Sequence, residues 1–542
     1  MSELNENPQA LDIDIIHQEA AGILPEETEQ AMMAEADLLA AEAGITLQNP
    51  LEEASADAAV DNKVLLQAFE WYLPDDGQHW NRLKDMAQQF TELGIGGVWL
   101  PPCSKATGTN DVGYGIYDLW DLGEFDQKGS VRTKYGTKDE LQSAIKALQE
   151  QGLQVYADVV LNHKAGADEN ELFKAVKIDP DDRNRQLSEP YDIRGWTRFT
   201  YPGRAGKYSD FVWNFSHFTA VDYDDLHQEG GIFRILGENK GFSPGVDREK
   251  GNFDYLMFAD VDYRNKDVIA ETIRWGEWFV ETLGLDGMRL DALKHINSQF
   301  MAAFLRAMRL KTGKPLYFMG EYWRREGLEL VSYLDETDAQ MALFDVALHF
   351  HFQQASLSGR DYDLRTIFDG TLVKSNPLNA VTFVDNHDSQ QGQALQSWVD
   401  GFFKELAYAL ILLRKDGYPC LFWGDVYGIS GGPNPQPGWG QYIKPLLKAR
   451  KEAAYGEQID YFDHGNCIGW VRLGDDTHLG SGLAVVMSNS EDGHKHMSLG
   501  ALNAGTAWQD ITGRITDPVT LDEKGEATFY CKGQSVSVYR RV

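Results

Sequence analysis

The sequence predicts an α/β fold, a (β/α)₈ TIM barrel, and three observations predict it. Eight short apolar, β-rich runs recur from Lys63 onward, amphipathic helical stretches separate them, and charged residues gather at the C-terminal ends of several runs. Catalytic groups of such barrels sit at those ends, so the third observation belongs with the first two.

The runs are "VLLQAFEW" (64–71), "IGGVWLPP" (95–102), "LQVYADVV" (153–160), the core of "GLDGMRLDALKHI" (284–296), "LYFMGE" (316–321), "ALFDVALH" (342–349), "VTFVDNHD" (381–388) and "YPCLFWGD" (418–425). Helices are predicted between them, among others over 138–150 and 267–283. The second carries Ile269, Ile273, Val280 and Leu283 along one side. In the fourth run, alternation puts Gly287, Arg289 and Asp291 on one face and Met288, Leu290 and Ala292 on the other, so one face reads as core and the other as chemistry.

Two regions break the alternation. Residues 162–261 are too long for a loop and rich in Asp, Gly and aromatics, which predicts a small β-rich domain inserted after the third strand. Beyond 454 the chain turns to short β-like pieces with Gly, Asn and Asp turns, which predicts a C-terminal antiparallel β-sandwich. The expected organisation is an extension (1–62), a first barrel part (63–161), the insertion (162–261), a second barrel part (262–454) and the C-terminal domain (455–542). The extension holds 15 of the acidic residues and no Lys or Arg. Within it 25–44 could form a helix with Met32, Leu38 and Leu39 toward one side, though a solvating tail is the plainer expectation.

Charge and composition narrow the function. A net charge of −33 argues against binding nucleic acid or an anionic membrane, both of which need clustered Lys and Arg. A neutral partner fits better, and 14 Trp and 23 Tyr can stack on sugar faces as well as fill cores. Cys103, Cys420, Cys467 and Cys531 have no metal-binding or disulfide-framework spacing, so reduced thiols are expected. The opening residues lack a signal-peptide pattern, and no uncharged apolar run reaches spanning length. A cytoplasmic monomer is the expectation.

The strand ends collect Asp158, Asn162 and His163 (third), Arg289 and Asp291 (fourth), Glu321 (fifth), and Asp385, His387 and Asp388 (seventh). Any one of these acids alone would be read as a cap or ion-pair partner. Crowding them is costly without function, because like charges repel and desolvation is expensive. Glycoside hydrolysis needs such a cluster: one carboxylate to attack and one carboxylic acid to protonate the leaving oxygen. Arg289 is expected to keep Asp291 ionised as the nucleophile, while Glu321, flanked by Tyr322 and Trp323, is placed for a raised pKa as acid and then base.

The segments "DVVLNH" (158–163), "GMRLDALKH" (287–295), "GEYW" (320–323) and "FVDNHD" (383–388) resemble, in order, the four signature regions of the α-amylase family, glycoside hydrolase family 13. "WLPP", "DVGYGIYDLWDLGEF", "VRTKYGT", "NFDYLMFADVDY" and "YFDHGNCIGW" extend the resemblance to bacterial liquefying α-amylases from about residue 63 to the C-terminus. It implies a nucleophile at Asp291, a general acid/base at Glu321 and a transition-state stabiliser at Asp388, with Arg289, His163, His387, Tyr114, Lys294, His295 and Trp323 as substrate contacts. It also implies a structural Ca²⁺ held by Asn162, Asp254, Asp260 and the backbone carbonyl of His295, oxygen donors of the kind calcium prefers. Where those relatives place further aspartates for additional metals this chain has Thr219 and Ser243, so one calcium is expected. Gln391 stands where chloride-dependent relatives carry a basic residue, so chloride activation is not.

The activity implied is retaining endo-hydrolysis of α-1,4-glucosidic bonds in starch, glycogen or maltodextrins, with the working carboxyls about 5 to 5.5 Å apart. A transglycosylating relative would use the same acids. An inactive glucan-binding protein is the other class, and the intact acids speak against it.

Overall fold

The computed structural model describes residues 62–542. The helix expected over 25–44 lies outside the described residues, as does the extension apart from Asn62. Eight parallel strands form a closed barrel: β1 (Val64–Gln67), β2 (Ile95–Leu100), β3 (Gln154–Val159), β4 (Gly287–Leu290), β5 (Tyr317–Gly320), β6 (Ala342–Phe344), β7 (Ala380–Phe383) and β8 (Tyr418–Phe422). Each pairs with its neighbours in sequence, and β1 closes the ring against β8 through Leu65–Cys420 and Gln67–Phe422. The expected barrel is present.

A helix follows every strand in the chain: α1 (His79–Glu92), α2 (Lys138–Glu150), α3 (Lys266–Leu283), α4 (Ser298–Thr312), α5 (Gly327–Glu336), α6 (Val346–Ser358), α7 (Gly401–Leu412) and α8 (Gly440–Ala453). Their ends are written in the sequence. Thr137 and Glu140 form a reciprocal capping box at the start of α2, which buries Leu141, Ala144, Ile145 and Leu148 on one face. The Asn265 side chain caps α3, and Gly284 ends it in the left-handed conformation at φ 68°. Ile273 is only partly buried; Trp275 and Phe279 carry more of the α3 face than the predicted stripe suggested.

Two of the apolar runs turn from strand to helix partway along. In 342–349 the strand stops at Phe344, and the Asp345 side chain accepts from Leu348 N–H to start α6. In 418–425 Trp423 opens a short helix, Trp423–Tyr427. A fully buried helix start carries the same continuous apolar signal as a buried strand, so periodicity cannot separate them.

Between β3 and α3 lies a four-stranded antiparallel sheet in the order Tyr191–Arg198, Glu169–Ile178, Glu229–Ile235, Ala220–Asp224. The short pair His163–Lys164 with Ala259–Asp260 ties the two ends of this excursion together beside the barrel mouth. After α8, a six-stranded antiparallel sheet and the two-stranded sheet Gly493–Ser498 with Glu526–Cys531 bury a separate apolar cluster around Val471, Trp508, Phe529 and Tyr539.

Strand β4 is positioned by close backbone approach. A Cβ on Gly287 would lie 1.8 Å from the Tyr317 carbonyl oxygen, so only glycine fits there. Its register sets Arg289 directly opposite Asp158 of β3 and Met319 of β5. All four cysteines are free and buried.

Candidate active site

The site is built around Arg289, whose side chain is wholly buried inside the mouth of the barrel. Its Nη1 donates to Asp158 Oδ1 at 2.8 Å and to Asp291 Oδ1 at 2.7 Å, and its Nη2 donates to Glu321 Oε2 at 2.6 Å. Three strands thus place a carboxyl on one planar guanidinium, a geometry that lysine cannot reproduce. Asp158 is itself fixed, accepting from Trp99 Nε1 at 3.0 Å and the Tyr114 hydroxyl at 2.9 Å.

Exposure sorts the acids by what they can reach. Asp158 has no exposed side-chain surface, whereas Asp291, Glu321 and Asp388 expose 10, 9 and 23% of theirs. Asp158 is therefore closed off behind Arg289, and the other three are partly open to solvent. Directly after Asp291 the chain turns at Ala292, a non-glycine residue at φ 53°, a left-handed conformation of the kind that collects at functional sites. That turn brings Ala292 N–H to 3.4 Å from Glu321 Oε2 and Leu293 N–H onto the Glu321 carbonyl.

Burial raises the carboxyl pKa values of Asp291 and Glu321 above their ordinary range, and the Arg289 charge opposes it in both. The expectation that Arg289 simply keeps Asp291 ionised is thus incomplete, because desolvation is the larger effect. The two carboxyls are also coupled to each other, so a proton on one eases their repulsion. Asp388 is raised furthest of the three, by burial and then by the charge of Glu321. Four acids around one cation titrate as a unit, with protons shared among them.

His387 lies beside Asp388. Gln67 Nε2 donates to its Nδ1 at 2.9 Å, which leaves the ring proton on Nε2, 3.2 Å from Asp388 Oδ2. Burial holds the ring well below its usual pKa, so it is neutral, and its Nε2 is buried beside Asp388 with no hydrogen-bond partner among the described residues. Tyr114 stacks on His387 with centroids 5.1 Å apart, and Trp71 lies nearly parallel to both rings. His163 is different: its Nε2 is engaged by the Tyr114 carbonyl at 2.8 Å, and burial lowers its pKa to about 4. It fixes the loop that presents Tyr114. Lys294 pairs with Glu249 at 2.7 Å and donates to the Trp323 carbonyl, while His295 Nδ1 bonds the Phe253 carbonyl. Trp323 is partly exposed and packs against His349, Phe350 and Phe383.

One predicted member of the mouth does not face it. Asp385 turns inward to Lys404 Nζ at 2.6 Å and Ser389 Oγ at 2.8 Å. Lys404, wholly buried, also pairs with Asp425. This group anchors the base of the loop carrying His387 and Asp388. Sequence reasoning missed Lys404 and Asp425 because an isolated Lys in a helix reads as solvated surface. It also missed Gln67, Trp71 and Trp99, which sit in apolar runs where the core reading wins by default.

The residues named for calcium come together beside the mouth. Asp254 and Asp260 are buried, and burial raises the pKa of both, Asp254 to about 7; the charge of Asp254 raises Asp260 further. Neither forms an ion pair among the described residues; Arg264 and Lys240 pair with Asp262 instead. Asn162 Nδ2 is 3.3 Å from Asp260 Oδ1. Two buried carboxyls and a side-chain amide oxygen form an all-oxygen donor set of the kind a divalent ion takes. Thr219 donates to Asp260, and Ser243 N–H to Asp254 at 2.9 Å, so the two residues that replace expected aspartates stabilise the pair without adding charge.

Comparison with known proteins agrees with this geometry. The family model "Alpha amylase, catalytic domain" matches residues 77–223. The chain is 49% identical to the "Alpha-amylase" of Bacillus licheniformis over 490 residues, covering 90% of this chain and 95% of that one. It is 45% identical to the "Cytoplasmic alpha-amylase" of Escherichia coli (strain K12), covering 88% of this chain and 98% of that one. The crystal structure of an α-amylase from Geobacillus thermoleovorans shares the fold at a TM-score of 0.61 and 18% identity, over 89% of this chain and 98% of that one. A closed parallel barrel, acids at its mouth and identity of this extent over nearly the whole chain lead to one conclusion: the chain belongs to the alpha-amylase family and is a glycoside hydrolase.

Proposed function

We propose that the chain is a retaining, endo-acting α-amylase that cleaves internal α-1,4-glucosidic bonds in starch, glycogen or maltodextrins. The observation that carries the reading is the meeting of Asp291 and Glu321 on a single buried guanidinium, with Asp388 opening onto the same cleft. Asp291 attacks the anomeric carbon as a carboxylate, and Glu321 protonates the departing glycosidic oxygen. A covalent glycosyl-enzyme results, and Glu321 then takes a proton from the incoming water. Asp388 and the neutral His387 Nε2–H bind sugar hydroxyls as the ring distorts toward the oxocarbenium-like transition state. Tyr114 and Trp71 supply a flat apolar wall for the sugar beyond the cleaved bond.

A calcium ion would be held by Asn162, Asp254, Asp260 and the backbone carbonyl of His295. It would supply the positive charge that the two buried aspartates lack and tie the 162–261 segment to the barrel. The His295 segment is already joined to the Asp254 loop through Phe253. A cytoplasmic location is supported by four unpaired cysteines and by likeness to an Escherichia coli relative named for that compartment. Among the described residues no helix is long and apolar enough to cross a membrane.

Asp291→Asn is expected to lower kcat on maltoheptaose on the order of 10⁴-fold, because an amide cannot be the nucleophile. Wild type should release mixed short maltooligosaccharides and nothing longer than the substrate. Activity retained by the variant, or net elongation by the wild type, would refute the assignment.

Arg289→Lys tests the electrostatics. The guanidinium lowers both Asp291 and Glu321, and a lysine cannot span both, so both carboxyl pKa values should rise. Asp291 must be ionised and Glu321 protonated for reaction, so both limbs of the kcat/KM profile should move to higher pH, with kcat down about 10²-fold. Limbs that stay put or move down would contradict it.

Removing calcium with a chelator should lower Tm by several degrees and activity with it, both restored by added Ca²⁺. Insensitivity of both quantities would show that the Asp254–Asp260 pair is held by a shared proton alone.

A further inference from the structure

At the opposite end of the barrel, between the N-terminal ends of β3, β5 and β8 and the C-terminal sheet, lies a cleft of about 590 Å³. Tyr156, Tyr317 and Tyr418 form its barrel side, and the stacked pair Tyr455–His478, with centroids 3.6 Å apart, forms part of the other. Two arginines line it, Arg450 and Arg472, at 3 and 4% exposure. Neither has a carboxylate partner within ion-pair distance among the described residues. Arg450 spends its donors on the carbonyls of Asn62, Lys63, Leu412 and Arg414. Arg472 directs Nε and Nη2 at one acceptor, the Gly456 carbonyl, and its Nη1 is buried with no hydrogen-bond partner.

A buried guanidinium without an ion-pair partner is expensive, and an N–H left without any acceptor adds to that cost. Burial lowers the pKa of Arg450 to about 9 and of Arg472 to about 10, in Arg472 against the opposing charges of Asp416 and Asp475. The acids nearby, Asp416 and Asp475, are exposed at the rim, and Asp475 is already bonded by Thr477 and His478. Lys415 shares that rim. The buried part is thus rich in donors, with no carboxylate at ion-pair distance from either arginine among the described residues.

We propose that this cleft is an oxyanion-binding site, taking a phosphate or carboxylate group onto Arg472 at the base of the barrel, remote from the reaction. Two sources carry that chemistry. One is a small phosphorylated or carboxylated metabolite, whose body would lie against Tyr455 and His478. The other is the chain's own acidic extension, because Asn62, which lines the cleft, is preceded by Glu52, Glu53, Asp57 and Asp61 in sequence.

The test is calorimetric titration of the full chain with inorganic phosphate at fixed ionic strength. It is run on wild type, on Arg472→Met, on Lys415→Glu, whose exposed side chain leaves folding and basal activity intact, and on a full-length chain carrying E52Q, E53Q, D57N and D61N. Saturable one-site binding is expected. Arg472→Met should weaken it about tenfold or more, the scale of a charge-assisted hydrogen bond, and Lys415→Glu roughly threefold. Binding by wild type identifies a free ligand. Binding seen only after the four acids are neutralised, and lost again on adding Arg472→Met, identifies the extension as the resident anion. No saturable binding in either background, or binding indifferent to both Arg472→Met and Lys415→Glu, overturns the proposal.

Discussion

The active site depends on one buried cation. Arg289 sits where three strand ends converge, and its planar fork is the only group that can hold Asp158, Asp291 and Glu321 together without their charges driving them apart. Each supporting feature serves that arrangement. The register of β4 on β3 faces Arg289 with Asp158, glycine at 287 lets β4 close on β5, and the left-handed turn at Ala292 swings the chain aside just after Asp291. Trp99 and Tyr114 hold Asp158 in place against Arg289, behind the two acids that are partly open to solvent.

Much of this was legible in the sequence, for physical reasons that differ by residue. The barrel announced itself because its strands are buried on both sides and read as apolar runs, while helices such as α2 carry a stripe and a capping box. Arg289 and Asp291 stood out because alternation places two charges on the inward face of a buried strand. The end of β6 was not legible, since α6 starts fully buried and its first turn looks like strand. Asp385 was misassigned to the mouth for a related reason. Its partner Lys404 lies 19 residues away, and nothing local distinguishes an acid facing a cleft from one paired beneath it.

The unequal treatment of the acids came from the three-dimensional arrangement alone. Sequence gives residue types at strand ends but not their depth. The wholly buried Asp158 and the partly open Asp388 differ in what they can touch, although both close a barrel strand segment. The same holds for the histidines: His163 is spent on a backbone carbonyl, while Gln67 fixes His387 with its Nε2 beside Asp388. The calcium residues follow the logic of the acids. Buried carboxyls that face each other require a positive charge, and Thr219 and Ser243 keep the local negative charge to two groups.

The claim that Asp291 and Glu321 work as a nucleophile and acid/base pair fixes the stereochemistry of the first product. Proton NMR of the reducing-end anomers released from maltoheptaose, read before mutarotation, tests it directly. Initial release of the α-anomer is predicted, since two inversions through a covalent intermediate restore the starting configuration. Initial release of the β-anomer would mean that water attacks directly, and the account of how Arg289 arranges these acids would fail.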